Sequence, residues 1–177
     1  MLEVIAIVAV VIGIAVAAVL VIAATKPDTF SVRRTATIRA SAEKIFPLID
    51  DLRAQSAWSP FEKDPAMKRT HSGTPAGKGA VYEWDGNRQV GRGRIEIIES
   101  KPPSSITLKL DMFTPFEAHN TVQFTLAPNG SGTDVTWAMQ GRQPYMAKVF
   151  STFVNCDRMV GGQFEEGLAK LKALVER

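Results

Sequence analysis

Two histidines, one cysteine and scattered carboxylates are all this chain offers for acid–base or nucleophilic chemistry. His71 lies in a polar stretch and reads as a solvated side chain. His119 stands two residues after Glu117, and a carboxylate beside an imidazole can hold it for proton transfer. Two neighbours on one strand face are equally a plain surface pair. Asn120 and Tyr145 would be the orienting groups of a site built on His119. No Ser, Thr or Cys has the partners of a triad in its neighbourhood of the sequence. Cys156 is alone, so one chain forms no disulfide, and without paired His or Cys there is no metal-ligand spacing. Neither a metal nor a cofactor is expected. Gly91-Arg92-Gly93-Arg94 lies inside a strand pattern and opens no helix, so it is not a dinucleotide fingerprint. The catalytic candidates reduce to His119, Glu117 and Tyr145, and no catalytic cluster is evident.

These residues sit on a run of strands. Phe30 to Ala40 alternates and is rich in Val, Thr and Ile. Ser41 suits an N-cap, and a short helix limited by Pro47 follows. A second helical or irregular piece ends at Trp58-Ser59-Pro60-Phe61. After a loop with a possible strand at Met67–His71, five strands follow with turn residues between them: Gly79–Trp84, Gln89–Glu99, Ser105–Met112, Ala118–Leu126 and Thr133–Gly141. The period of two assigns their faces. Tyr82 and Trp84 share the inward side, as do Ile95 and Ile97. So do Leu108, Leu110 and Met112. Asn120, Val122 and Phe124 follow, then Trp137 and Met139. Asn120 is the one clearly polar member. The opposite positions carry Glu83, Arg92, Arg94, Glu96, Lys109, Asp111 and Gln123, as a solvated face should. Phe113 and Phe116 flank Thr114-Pro115 at a hairpin tip.

Pro144 to Arg177 reads as one long helix. Met146, Val149, Phe153, Cys156, Val160, Phe164, Leu168, Leu171 and Val175 recur at three or four residues and draw one apolar stripe. Gly161-Gly162 divides it and is the expected place for a kink or a close approach. Tyr145, Phe150 and Phe153 belong to its first half, where aromatics and Met suit a ligand wall.

Val4 to Ala24 contains no charge. At 1.5 Å per residue it spans about 31 Å, close to the hydrocarbon thickness of a bilayer. There is no Lys or Arg before it and no clear cleavage box after it, which favours a single-pass anchor over a signal peptide. Lys26, Arg33, Arg34 and Arg39 follow the span, so the positive-inside rule predicts a cytoplasmic domain. The organisation is then an anchor over 1–25, a linker over 26–29 and a domain over 30–177. The net charge of +3 is scattered among acids. With no basic stripe bearing interleaved aromatics, nucleic acid is not an expected partner.

Strand, two short helices with Trp58-Ser59-Pro60-Phe61 after them, a strand meander and a closing helix: this order resembles the START-like, helix-grip superfamily. Within it the chain is most similar to the SRPBCC type, the polyketide cyclase/dehydrase and lipid-transport proteins. The resemblance covers Phe30 to the C-terminus. It implies an α+β helix-grip fold, a curved antiparallel sheet of about seven strands around the C-terminal helix with an apolar cavity between them. The inward residues above, with Phe113, Phe116, Tyr145, Phe150 and Phe153, would then be the ligand wall; the other reading makes them plain core. The expectation is a membrane-anchored carrier or sensor of a hydrophobic small molecule or lipid. The alternatives are a cyclase/dehydratase-like enzyme with His119 in the cavity, and an interaction module with no cavity at all.

Overall fold

The computed structural model describes residues 1–177, the side chain of Leu2 excepted. An N-terminal helix, α1 (Leu2–Thr25), leads through Lys26-Pro27-Asp28 into β1 (Thr29–Ile38). Then come α2 (Ala42–Asp50), a short 3-10 turn at Ala54–Ala57, and strands β2 (Lys68–Gly73), β3 (Ala80–Asp85), β4 (Arg92–Lys101), β5 (Ser105–Thr114), β6 (Ala118–Asn129) and β7 (Gly132–Arg142). Two helices, α3 (Tyr145–Phe153) and α4 (Cys156–Val175), close the chain. The fold is α+β and helix-grip, as expected.

The strands form one antiparallel sheet in the order β1-β7-β6-β5-β4-β3-β2. From β2 to β7 it is a meander joined by short turns, and β1 closes on β7 with Thr29 opposite Arg142. The register keeps the alternating faces except where β4 shifts against β5, between Arg92 and Gly93 and between Ile97 and Glu99. Tyr82, Ile97, Leu108, Val122, Phe124 and Trp137 are buried on the inner side. The outer side carries ion pairs such as Arg94 with Glu96 at 2.8 Å.

Antiparallel pairing gives the sheet two rims. One gathers the starts of β1, β4 and β6 and the ends of β3, β5 and β7. Because α1 enters there and α3 leaves there, we call it the anchor rim. The far rim is sealed. Ile45, Phe46 and Ile49 of α2 are buried, and the end of α4 is tied to the end of β1, where the Arg39 N–H donates to Glu176 Oε1 at 2.7 Å. Ile38, Ile106 and Val135 have no exposure at all. Towards the anchor rim burial thins, and Phe30, Trp84, Ile95, Leu110 and Met139 are only partly buried.

The middle of the inner face is filled by side chains. Trp137 stacks on Phe164 of α4 with ring centroids 4.3 Å apart. Trp58 meets Phe124 and Trp137 edge-on, while its Nε1 donates to the Leu48 carbonyl at 2.9 Å. Trp58-Ser59-Pro60-Phe61 thus plugs the grip. Gly167 permits this, since a Cβ there would press on Trp137 and Pro60.

The single helix expected over Pro144–Arg177 is two helices. The break falls at Val154 and Asn155, both with extended backbone, and the Asn155 side chain accepts the Arg158 N–H at 2.9 Å as an N-cap. A cap of this kind supplies an acceptor to one of the free N–H groups of the new helix. Gly161-Gly162 is not a kink: both lie inside continuous α4. Gly161 is the close approach, because a Cβ there would overlap the Arg34 guanidinium, which is held by Asp157 at 3.0 Å and Glu165 at 2.6 Å. Gly162 faces open space.

Candidate functional site

The thinly covered end of the inner face is built from rim positions of six strands. Leu110 of β5 pairs with Ile95 of β4 on one side and Asn120 of β6 on the other. Asn120 in turn pairs with Gly141 of β7, which pairs with Phe30 of β1. Gly141 has no side chain, and the Asn120 amide and the Phe30 ring occupy the space above it. Gly93 plays the same part for Trp84, whose ring lies where a Cβ would be, with its Nε1 donating to the Val90 carbonyl at 3.2 Å. Two glycines therefore let two large side chains lie flat at the rim.

Asn120 is buried, and its Oδ1 has no hydrogen-bond partner. A buried acceptor left unpaired costs about 1–3 kcal/mol. Its neighbours on the inner face are apolar, so nothing in the chain satisfies it. The Trp137 Nε1 donor is the second buried orphan, deeper on the same face. An apolar patch holding one unpaired acceptor can receive an apolar molecule that carries one donor.

Tyr82 is not free for such a role. Its hydroxyl donates to Glu62 Oε1 at 2.7 Å, and Glu62 also takes Arg69 at 2.7 Å. Burial and then the hydrogen bond to Glu62 push the phenol far above its ordinary range. His71 stacks on the Tyr82 ring at 4.8 Å. Ile97, Leu108, Val122, Phe124 and Trp137 belong to the packed core.

Of the acid–base candidates, His119 and Glu117 meet on the outer face, whereas Tyr145 does not join them. His119 alternates with Asn120 and so faces outward, its side chain 60% exposed. Its Nδ1 lies 2.6 Å from Asp111 Oδ1, and its Nε2 lies 3.3 Å from Glu117. Asp111 also receives Lys109 at 2.9 Å and is itself buried. The hydrogen bond to Asp111 raises the His119 pKa above 6.5. Burial would raise the Asp111 carboxyl, but bonds from His119 and Lys109 together hold it below 3.8. Tyr145 is far from this pair in role: its hydroxyl donates to the Leu20 carbonyl of α1 at 2.9 Å. Asp111, Glu62 and the Tyr145–Leu20 contact were not legible from local spacing. Asp111 and His119 are, however, equidistant from Pro115, and hairpin register would have paired them.

Phe113 lies outward beneath the Arg92 guanidinium, and Phe116 projects from the hairpin tip. Phe113 and Arg92 border a depression of about 330 Å³ with Lys68, Thr70, Glu83 and Asp85, on the outer side of the sheet. Phe150 and Phe153 are exposed on α3 and do not wall the inner patch. Among the described residues, no three of His, Cys, Asp and Glu gather closely enough to hold a metal.

Comparison with known families matches residues 29–176 to the model for "Polyketide cyclase / dehydrase and lipid transport". Comparison with curated protein sequences finds no match. Among solved structures, protein CV1439 from Chromobacterium violaceum is 18% identical with a TM-score of 0.59, over 86% of this chain and 99% of its own. Protein MLL2253 from Mesorhizobium loti is 18% identical with a TM-score of 0.60, over 84% and 98%. The di-domain ARO/CYC BexL from the BE-7585A biosynthetic pathway is 16% identical with a TM-score of 0.62, over 88% of this chain and 53% of its own. At these identities the likeness is one of fold.

Proposed function

The chain belongs to the polyketide cyclase / dehydrase and lipid transport family, and from that premise we propose that it is a membrane-tethered binding protein for a hydrophobic small molecule or lipid with one polar end. The observation that carries this reading is the unpaired Asn120 Oδ1, buried in an apolar patch at the anchor rim. A hydroxyl or protonated carboxyl would donate to it, and the aliphatic part would lie against Trp84, Ile95, Leu110 and Met139. Residues Glu3–Thr25 form a helix long and apolar enough to cross a membrane, and nearly all of its apolar side chains are exposed. The tether would keep the patch within reach of a bilayer, with the domain on the cytoplasmic side by its flanking cations. A cyclase-type reaction at the same patch would have to work by shaping an apolar chain, because His119 and Asp111 face away from it.

The test uses the full chain in lipid nanodiscs with a photoactivatable long-chain fatty acid and its hydrocarbon analogue. Cross-links should map to Trp84, Leu110 or Met139. Asn120→Leu should lower the yield for the fatty acid about ten-fold, the value of one lost hydrogen bond, and leave the hydrocarbon unchanged. Cross-links confined to α1 and α3 would overturn the reading.

A further inference from the structure

The short helix α3 is inside out for a helix of a soluble domain. Its polar face is the packed one. Lys148 is buried and pairs with Asp28 at 2.5 Å; Ser151 accepts from Lys26 Nζ and Gln143 Nε2, each at 3.0 Å; Tyr145 is tied to Leu20. These contacts fasten α3 to the last turns of α1 and the linker after it. Its apolar face is the open one. Met146, Phe150 and Phe153, spaced four and three residues apart on one stripe, are 74%, 57% and 73% exposed. Single exposed apolar residues need no explanation, but an unbroken stripe on a helix whose polar side is buried does.

We propose that α3 is an interfacial helix, its Met146-Phe150-Phe153 stripe lying in the lipid headgroup and upper acyl region beside the anchor. This inference rests on α1 being the membrane anchor proposed above. Depth supports it. Leu20 is four residues before Ala24, so the Tyr145 hydroxyl meets α1 about 6 Å inside the end of the apolar span. Interfacial helices bury their apolar faces to about 5–10 Å, and Tyr and Phe suit that zone. Charge agrees as well: Arg142 just before α3 and Arg158 just after it are both exposed, placed to meet anionic headgroups. The occupant is therefore a bilayer continuous with the one that α1 crosses.

The experiment places one fluorescent NBD label at a time on the full chain, with Cys156→Ser as background, in vesicles of equimolar phosphatidylcholine and phosphatidylglycerol. The labelled positions are Phe150→Cys, Phe153→Cys, Gly13→Cys in the middle of α1, and Ser131→Cys at the far rim. Labels on α3 should be quenched by spin-labelled lipid and be about five-fold less quenched by aqueous iodide than the label at 131, as an interfacial depth requires. If the label at 13 is protected while those on α3 are as open to iodide as that at 131, the interfacial helix is overturned and the anchor stands. If the label at 13 is itself open to iodide, the anchor fails and the inference with it. Protection of α3 from iodide without quenching by spin-labelled lipid would mean a protein, such as a second copy, covers the stripe, and would also overturn the proposal.

Discussion

His119 reports on the charge of Asp111 across one hairpin. The histidine's pKa is raised by its bond to Asp111, so the stability it contributes is fully present below 6.5, its ordinary value, and is lost as pH rises through its higher folded value. Asp111 is shifted the other way, so its contribution is present above 3.8 and is lost as pH falls through its lower folded value. The pair therefore supports the sheet best between those two ordinary values. In Asp111→Asn, proton NMR should find the His119 titration moved down towards 6.5. Denaturant unfolding of the same variant should lose the slope of stability against pH that the native chain has above that value. An unchanged His119 midpoint would mean the Asp111 bond does not hold the imidazole. Asn120 makes the complementary case one position along. Its orphaned oxygen costs stability in the empty protein, so Asn120→Leu should raise the unfolding free energy by about 1 kcal/mol if the leucine fits the space. A loss of stability would mean the amide already has a partner.

At the scale of elements, the sheet was readable because alternation states both the period and the face. Strand by strand, the residues assigned inward from Tyr82 to Met139 are buried or half-buried, although Asp111, assigned to the solvated face, is buried as well. The closing helix was not readable to the same depth. Its apolar stripe runs unbroken through Val154 and Asn155, so periodicity alone cannot see that the helix stops and is capped again. Nor does a stripe say what covers it: Phe164, Leu168 and Leu171 are buried in the core, whereas Met146, Phe150 and Phe153 are largely exposed. At the two glycines the sequence left a kink and a close approach both open, since a gap in side chains does not name the neighbour that fills it. The two now separate by experiment. Gly162→Ala adds a Cβ into open space in a helix interior, and should raise stability by about 0.5–1 kcal/mol. Gly161→Ala must push the Arg34 guanidinium off Asp157 and Glu165, and should therefore be less stable than Gly162→Ala. Equal effects in thermal unfolding would mean Arg34 moves aside at no cost.

For the whole molecule, the thinly covered part of the inner face and the exposed stripe of α3 lie at one end. The inner patch with Asn120, the Phe116 hairpin tip, α3 and the exit of α1 all belong to the anchor rim, while the far rim is sealed by α2 and the end of α4. That polarity follows from topology: antiparallel pairing returns the end of β7 to the start of β1, so α3 leaves the sheet where α1 enters it. The linker between α1 and β1 is only Lys26-Pro27-Asp28. The domain's tilt against α1 then depends on the α3 contacts, of which Lys148 with Asp28 is the charged one. The hydrogen bond from Lys148 holds the Asp28 carboxyl below its ordinary 3.8, so this tie is present above that value and is lost as pH falls through the lower folded value. Asp28→Asn removes the charge at any pH and leaves the sheet core untouched. Spin labels at positions 13 and 131 of the full chain in nanodiscs should then show a broader distance distribution than in the native chain, with an unchanged unfolding midpoint for the sheet domain. A distribution as narrow as before would place the restraint in the linker and the Tyr145–Leu20 bond. On the function proposed above, a domain held with its anchor rim towards the bilayer would offer the Asn120 patch a short path to and from the lipid, and one freed to tumble would exchange a lipid-derived ligand more slowly.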